Sequence, residues 1–586
     1  MSARGARMSG FGRLLLVQLR RGRLPLTRSA GAAVAIAGVL FASASARAVP
    51  GPDSVAVVAN SNDPESVALA DAYARAREIP ARQICRLALP ATVDISLADY
   101  RAMFETPFTA CLTSAGVLDR IESVVLARGV PLRVLVPTGS GDETASLAAV
   151  LGAWQSQAGG MPLVGQPAGR TIDCGGTPCR AAAWRNPFDR QRVFSAGWTR
   201  DVAGVTWRPL LVTMLHGRTY ADAMRLVTSA VDGDRLGGAS GRFLFMNGAD
   251  AARGALDMEY DAVLTALGTA GVTDAMRVPF NPDLEGLSLA AFVTGTASIG
   301  RTIEGNTFAP GAITDNLTSF GAVPQNFEAT GESQVSIARW VSMGVAGAHG
   351  TVDEPLNNCF PSRYFVSDYA RGSTLGEAYH RRLPYAYWKN LVIGDPITAP
   401  YATRPAVVID GVTGGDMIAG ARAVTVHATD AMARQIGSLT LFVDGVEAGH
   451  ADGDTLDACI VLGAGTDVQI LAVAQIAYDE TAPVEAAYYQ PKGWLAVRVN
   501  GAAGPTTCSA AVDAGTALAD AGVADRDGAA PAADAGTPPA PADDGGCGCA
   551  AAGARVRSRA GLALAALLCG AAMLRRRRRD VRARRA

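Results

Sequence analysis

The chain has 586 residues, 49% hydrophobic and 18% charged, with a formal net charge of −1. That total hides an uneven distribution: residues 1–48 carry eight arginines and no acid, and residues 547–586 carry eleven arginines and one acid. Setting those 19 arginines and one acid aside leaves 34 basic and 53 acidic residues over 49–546, a net charge of −19, which repels phosphate backbones and argues against a nucleic-acid partner.

Seven of the N-terminal arginines lie in residues 1–28, ahead of the apolar run Ala30–Ala42 and the small residues Ala46 and Ala48. A basic region, a short apolar region and a small-residue site together predict an export signal, residues 1–48, cut after Ala48. The alternative is a permanent N-terminal anchor, but the run of 13 residues is short of the ~20 needed to span a bilayer.

Residues 55–401 read as α/β. "VAVVAN" (Val55–Asn60) is a continuous apolar strand, and Asp63–Ile79 is a helix with an acid at its start and apolar residues at helical spacing. "QICRLALP" is a strand, Ser96–Gly116 a helix opened by a serine cap, and Arg120–Pro137 two strands around Gly129-Val130-Pro131. Then come "RPLLVTML" with a helix from Tyr220, "RFLFMNG" with a helix from Ala255, and the strands "LSLAAFVTG", "FAPGAITD" and "GVAGAHG". Strands alternating with helices predict a mostly parallel, doubly wound sheet covered on both faces. Ser156–Arg192 is weakly patterned and reads as an insertion or long loop.

From Ala406 the period changes to short alternating runs, with Asp444-Gly445 as a hairpin turn. Residues 406–500 read as a small β-sandwich. Residues 501–546 form an Ala/Asp/Gly/Pro linker whose stretch Ala510–Asp544 has almost no large apolar side chain, which predicts a disordered stalk. The tail, 547–586, holds Cys547 and Cys549, a 15-residue apolar run (Ala560–Leu574) and the arginines from Arg575 to Arg585. As a helix the run covers roughly 22 Å against a ~30 Å hydrocarbon core, short for a permanent anchor. The arginines stay cytoplasmic by the positive-inside rule.

Four resemblances rest on these residues. Linker, Gly-Cys-Gly-Cys, short apolar helix and arginine cluster, together about Asp543–Arg585, resemble the MYXO-CTERM sorting signal. The resemblance implies a processing protease that cuts near Cys547 or Cys549 and leaves the product at the cell surface. The segments "VVANSNDPESVALADAYARAREIP", "VVLARGVPLRV", "FAPGAI", "GVAGAHGTVDEP", "GSTLGEAY" and "LVIGDPITAPY" resemble a family of exported bacterial proteins found mainly in species with exosortase-type sorting systems. That implies an address rather than a chemistry. The last third is also similar to gingipain-like, caspase-fold cysteine peptidases, in which a His-Gly ends one strand and a Cys ends the next. The corresponding strands here, within "LSLAAFVTGTASIG" and "FAPGAITDNLTSFG", hold no His and no Cys respectively. The sandwich resembles bacterial immunoglobulin-like domains.

Candidate site residues follow from strand ends. His349-Gly350 ends a strand and Cys359 lies ten residues on, so a displaced His–Cys dyad stands beside the reading of a loop histidine and a disulfide cysteine. His216-Gly217 also ends a strand, but no cysteine lies within the next hundred residues. Asn60, Asn62, Asp63 and Ser66, between the first strand and its helix, are candidate ligand contacts; the alternative, helix capping by Asn62 or Asp63, needs no ligand. Asp142 and Glu354 follow strands and would form a carboxylate pair if they converge. "CGGTPC" (Cys174–Cys179) could close a small disulfide loop, and Cys85 and Cys111 flank a predicted helix. One close cysteine pair with no nearby histidine is not a zinc set, and no nucleotide-binding or metalloprotease motif is present, so no cofactor or metal is expected.

The composite expectation is an exported, surface-anchored protein whose role is to bind a surface protein or glycan or to assist envelope assembly. Its precursor is held in the membrane by the C-terminal helix. The alternative is a surface hydrolase of cysteine-peptidase type. Mass spectrometry of envelope-associated protein is expected to find a chain beginning near Val49 and ending near Cys547 or Cys549; intact chain in the cytosol would refute both processing steps.

Overall fold

The computed structural model describes residues 50–138, 141–153, 184–186, 200–202, 205–207, 209–238, 240–327, 333–477 and 492–508. The expected signal peptide, the tail with Cys547 and Cys549, nearly all of the linker, Cys174–Cys179 and most of Ser156–Arg192 lie outside them. Among the described residues no helix is long and apolar enough to cross a membrane.

Ten strands make the central sheet: β1 (Val55–Asn60), β2 (Ile84–Leu87), β3 (Ser123–Ala127), β4 (Leu211–Leu215), β5 (Arg242–Met246), β6 (Ala275–Val278), β7 (Ser288–Thr294), β8 (Thr307–Asn316), β9 (Gly347–Thr351) and β10 (Asn390–Gly394). Their spatial order is β6-β5-β7-β8-β9-β10-β4-β3-β1-β2. β9 and β10 run antiparallel, with His349 opposite Val392, and the pairs on either side of them are parallel. β10 touches β4 through the single pair Met214–Ile393; Gly311 of β8 and Gly344 before β9 both meet Ser229 of the helix after β4, so β8, β9 and β4 share one carboxyl edge. The antiparallel β9–β10 pair refines the expected mostly parallel sheet. β1, β3 and β4 are buried along their whole length, which is why they read as unbroken apolar runs without alternation.

Local chemistry sets the helix ends. Helix α1 (Pro64–Ala76) starts at Asp63, whose Oδ1 accepts the Glu65 N–H at 3.0 Å, with proline in the first turn where no N–H is needed. Helix α2 (Thr106–Ser114) follows a turn opened by Ser96, and the Cys85–Cys111 disulfide clips it to β2. Helix α3 (Tyr220–Leu236) has a Thr219/Asp222 capping box and ends on left-handed Gly237. "GSGDETAS" is not only a loop: Gly141–Ser146 is a strand hairpinned onto Arg133–Thr138, itself paired with Asp94–Ser96 in a separate sheet. Its charge disguised it, because Glu143 is buried and accepts the Trp388 indole N–H at 3.0 Å.

The C-terminal module is a sandwich of a three-stranded and a five-stranded sheet around Leu439, Leu441, Ile460, Ile470 and Ala472. Asp444 and Gly445 both have positive φ, 46° and 74°, and close the hairpin Ile436–Val443/Val446–Asp452. A second disulfide, Cys459–Cys508, was not foreseen. The sandwich docks where β1, β2 and β3 begin. Lys492 Nζ lies 3.0 Å from Asp53, Arg120 donates to the Gly445 carbonyl at 2.6 Å and covers the Phe442 ring, and Arg404 covers Trp494.

A buried ionic knot lies just past β10. Asp395, in the turn after β10, is fully buried; it accepts the Tyr73 hydroxyl at 2.6 Å, the Ile397 N–H at 3.1 Å and the Arg77 guanidinium. Arg77 also reaches Asp234 of α3 at 2.8 Å and Thr398 at 2.9 Å. Asp395→Ala leaves Arg77 with Asp234 alone as a carboxylate partner and the Tyr73 hydroxyl unpaired, and is expected to lower stability by about 2–4 kcal/mol, read as an earlier midpoint in chemical unfolding.

Candidate functional site

Within the sheet the chain goes from β1 outward to β2, then crosses back to β3 on the other side of β1. The carboxyl ends of β1 and β3 are thus a topological switch point, where departing loops diverge and leave a crevice. A cleft of ≈ 390 Å³ lies there, lined among others by Asn62, Asp63, Arg128, His216, Arg218 and Phe327.

Asn60 builds its floor. The side-chain oxygen accepts the N–H groups of Asn62 (3.0 Å) and Leu89 (3.1 Å), and the amide donates to the Gly129 carbonyl at 2.9 Å. The Asn60 N–H donates to Ser66 Oγ at 3.0 Å. Asn60 and Ser66 are buried and occupied in tying β1, α1 and the loops after β2 and β3 together, so these two candidate ligand contacts are structural. Asn62 and Asp63 do face the cleft. Gly129 has φ +96°, and a Cβ there would lie 2.3 Å from Asp63 Oδ2, so only glycine lets the Asp63 carboxylate close against this loop.

His216, at the end of β4, is the titratable group in the wall. Burial, with Arg128 acting in the same direction, holds its imidazole down to about 3, so it is neutral at physiological pH. Its Nδ1 is buried without a well-formed hydrogen bond, and the ring packs on Phe327 at 4.4 Å. Arg128 pairs with Glu65 at 2.8 Å on the outer side of the cleft. Sequence reading singled out His216-Gly217 only as a failed peptidase motif; its signal as a cleft residue was its place one step past a buried strand.

The other candidates do not assemble into a reaction centre. His349 is wholly buried, with Nδ1 2.8 Å from Asp315 Oδ1 and Nε2 3.0 Å from Asn390 Oδ1. Both ring nitrogens are therefore engaged away from Cys359, and the proposed His349–Cys359 dyad is not formed. Cys359 is buried and outside any disulfide, and burial pushes its thiol up to about 12, the reverse of an activated nucleophile. Asp315 also binds Arg363; burial opposes its ionisation, but Arg363 and His349 outweigh that and hold its carboxyl below the usual range. The strands within "LSLAAFVTGTASIG" and "FAPGAITDNLTSFG" end at Thr294 and Asn316. A Cβ on Gly295 would sit 2.1 Å from the Arg253 carbonyl oxygen, and the Asn316 amide is clamped to the Thr296 backbone at 2.8 and 3.0 Å. Asp142 and Glu354 are both exposed; Glu354 accepts the Ser319 hydroxyl at 2.7 Å, and no hydrogen bond or ion pair joins the two acids among the described residues. No cluster of three or more potential metal ligands occurs among the described residues.

No family model and no curated protein matches the chain. Among solved structures, fibronectin(III)-like modules of Clostridium thermocellum CbhA are 14% identical over 20% of this chain, with a TM-score of 0.14. This chain spans about half, 53%, of that structure. The CARDB domain of a Pyrococcus furiosus protein, solved with two metal ions, is 11% identical over 17% of this chain and 90% of its own, with a TM-score of 0.12. A β-glucosidase from Listeria innocua is 8% identical over 49% of this chain and 51% of its own, with a TM-score of 0.14.

The His216 environment makes a sign-definite prediction. A folded value near 3 against 6.5 for a free imidazole means the unfolded chain binds the extra proton first. Stability from this site is present above pH 6.5 and is lost as the pH falls toward 3. In NMR, His216 is expected to keep its neutral-ring chemical shift as the pH falls through 6.5, the value of a free imidazole; titration near 6.5 would refute the neutral assignment.

Proposed function

We propose that this chain is an exported, surface-tethered binding protein whose α/β body holds a ligand without turning it over. The observation that carries the non-catalytic half is the engagement of His349 by Asp315 and Asn390 together with a Cys359 thiol raised by burial. Nucleophilic catalysis needs a base within reach of a deprotonatable group, and this pair has neither the contact nor the thiolate. The exported half is supported by the signal-like N-terminus, the cysteine-marked tail and the acidic body. Two disulfides, Cys85–Cys111 and Cys459–Cys508, agree with an oxidising compartment.

Intact cells should yield peptides of residues 49–500 after brief external proteolysis. A thiol-reactive probe applied to the native protein is expected to leave Cys359 unlabelled until denaturant is added. Native labelling of Cys359 that tracks peptide turnover, and is abolished in His349→Ala, would overturn the proposal in favour of a peptidase.

A further inference from the structure

We infer that the cleft at the carboxyl ends of β1, β3 and β4 binds a mono- or disaccharide that carries a carboxylate. This deepens the binding role proposed above and rests on that reading only for its cellular setting. The volume of ≈ 390 Å³ falls in the range of roughly 300–1,000 Å³ typical of small-molecule sites. The second cavity of note, bordered by Glu377 and Asn390, measures ≈ 40 Å³ and has room for water alone.

The wall chemistry suits a polyol. Asn62 uses its amide N–H on the Leu89 carbonyl at 3.0 Å, and its side-chain oxygen remains an acceptor. Neutral His216 lines the cleft; its Nδ1 is buried, which leaves Nε2 as the ring nitrogen for a ligand hydroxyl. Arg128 Nε is buried without a hydrogen-bond partner. Planar groups of this kind hold vicinal hydroxyls in pairs, each hydroxyl donating to one and accepting from another. Phe327, Val93, Val130 and Leu132 supply apolar surface for the C–H face of a sugar ring.

Charge selects the substituent. Two guanidiniums, Arg128 and Arg218, border the cleft against the single Asp63 carboxylate. Glu65, the partner of Arg128, is 59% exposed, and so weakly held a surface pair yields readily to a ligand carboxylate. A phosphate is disfavoured. The first turn of α1, where a phosphate would dock, is already capped by Asp63, whose carboxylate fills the space beside Gly129. A planar carboxylate instead matches the fork of an arginine on the opposite wall.

The test is calorimetric titration of the full chain in detergent with glucuronate, glucose and inorganic phosphate. Glucuronate is expected to bind, glucose more weakly, and phosphate not at all. Arg128→Ala should weaken glucuronate by about 10- to 100-fold, to the level of glucose, with an unchanged unfolding temperature. Asn62→Ala, at an exposed position, should weaken both sugars. Absence of sugar binding, phosphate binding as tight as glucuronate, equal affinity for the two sugars, or indifference to Arg128→Ala would each overturn the inference. None of these results bears on Cys359 labelling, so the site and the non-catalytic reading fail separately.

Discussion

β9 and β10 form an antiparallel pair in an otherwise mostly parallel sheet, and the molecule is organised around that pair. His349 of β9 bonds across it to Asn390 of β10. Behind His349 stand Asp315 of β8 and Arg363, beside α4 (Tyr364–Ala370), so one side of the joint is stitched by a charge-assisted chain of buried groups. At the far end of β10 the Asp395–Arg77–Asp234 knot ties the same strand to α1 and α3. Removing one member of either knot leaves buried charge poorly compensated, so both resist the loss of any one partner.

Candidate residues at strand ends do not pair into a site. Glu354 follows β9, but Asp142, its expected carboxylate partner, lies on the hairpin strand Gly141–Ser146 of a separate three-stranded sheet, and no hydrogen bond or ion pair joins the two among the described residues. At the carboxyl ends of β1 and β3 lies the switch point, where Asn60 uses three of its four side-chain hydrogen-bonding positions to hold three loops at fixed spacing. Its burial makes the cleft; its neighbours Asn62 and Asp63 give the cleft its chemistry.

Most of the fold was legible because its signals are local. The all-buried β1, β3 and β4 read as apolar runs, Asp63 and Thr219 mark helix starts, and Asp444-Gly445 marks a hairpin by the φ angles it supplies. The antiparallel joint between β9 and β10 was not legible, since it is a pairing of residues 347–351 with 390–394 that no local pattern encodes. The hairpin strand Gly141–Ser146 was hidden by a buried glutamate whose partner, Trp388, lies far along the chain. His349 illustrates the same limit at a site: its strand-end position suggested a base, and only the placement of Asp315 and Asn390 assigns it to the core. Phe327 joins the cleft from a segment that carries no motif, and Arg128 from "VVLARGVPLRV", which reads as two strands and not as part of a site.

The docked sandwich gives the cleft an orientation. Arg82, Arg120, Asp53 and Glu122 precede β2, β3 or β1, and all of them contact the sandwich, so the module caps the amino ends of these strands. The cleft lies at their carboxyl ends, a strand length of roughly 17–20 Å away. The described chain ends on the sandwich at Cys508, and the disulfide to Cys459 fastens that last segment to the three-stranded sheet. A pull on the chain beyond Cys508 is thus borne by a covalent bond rather than by the hydrogen bonds of the final strand. On the tethered reading proposed above, the attachment point and the cleft occupy opposite ends of the same strands.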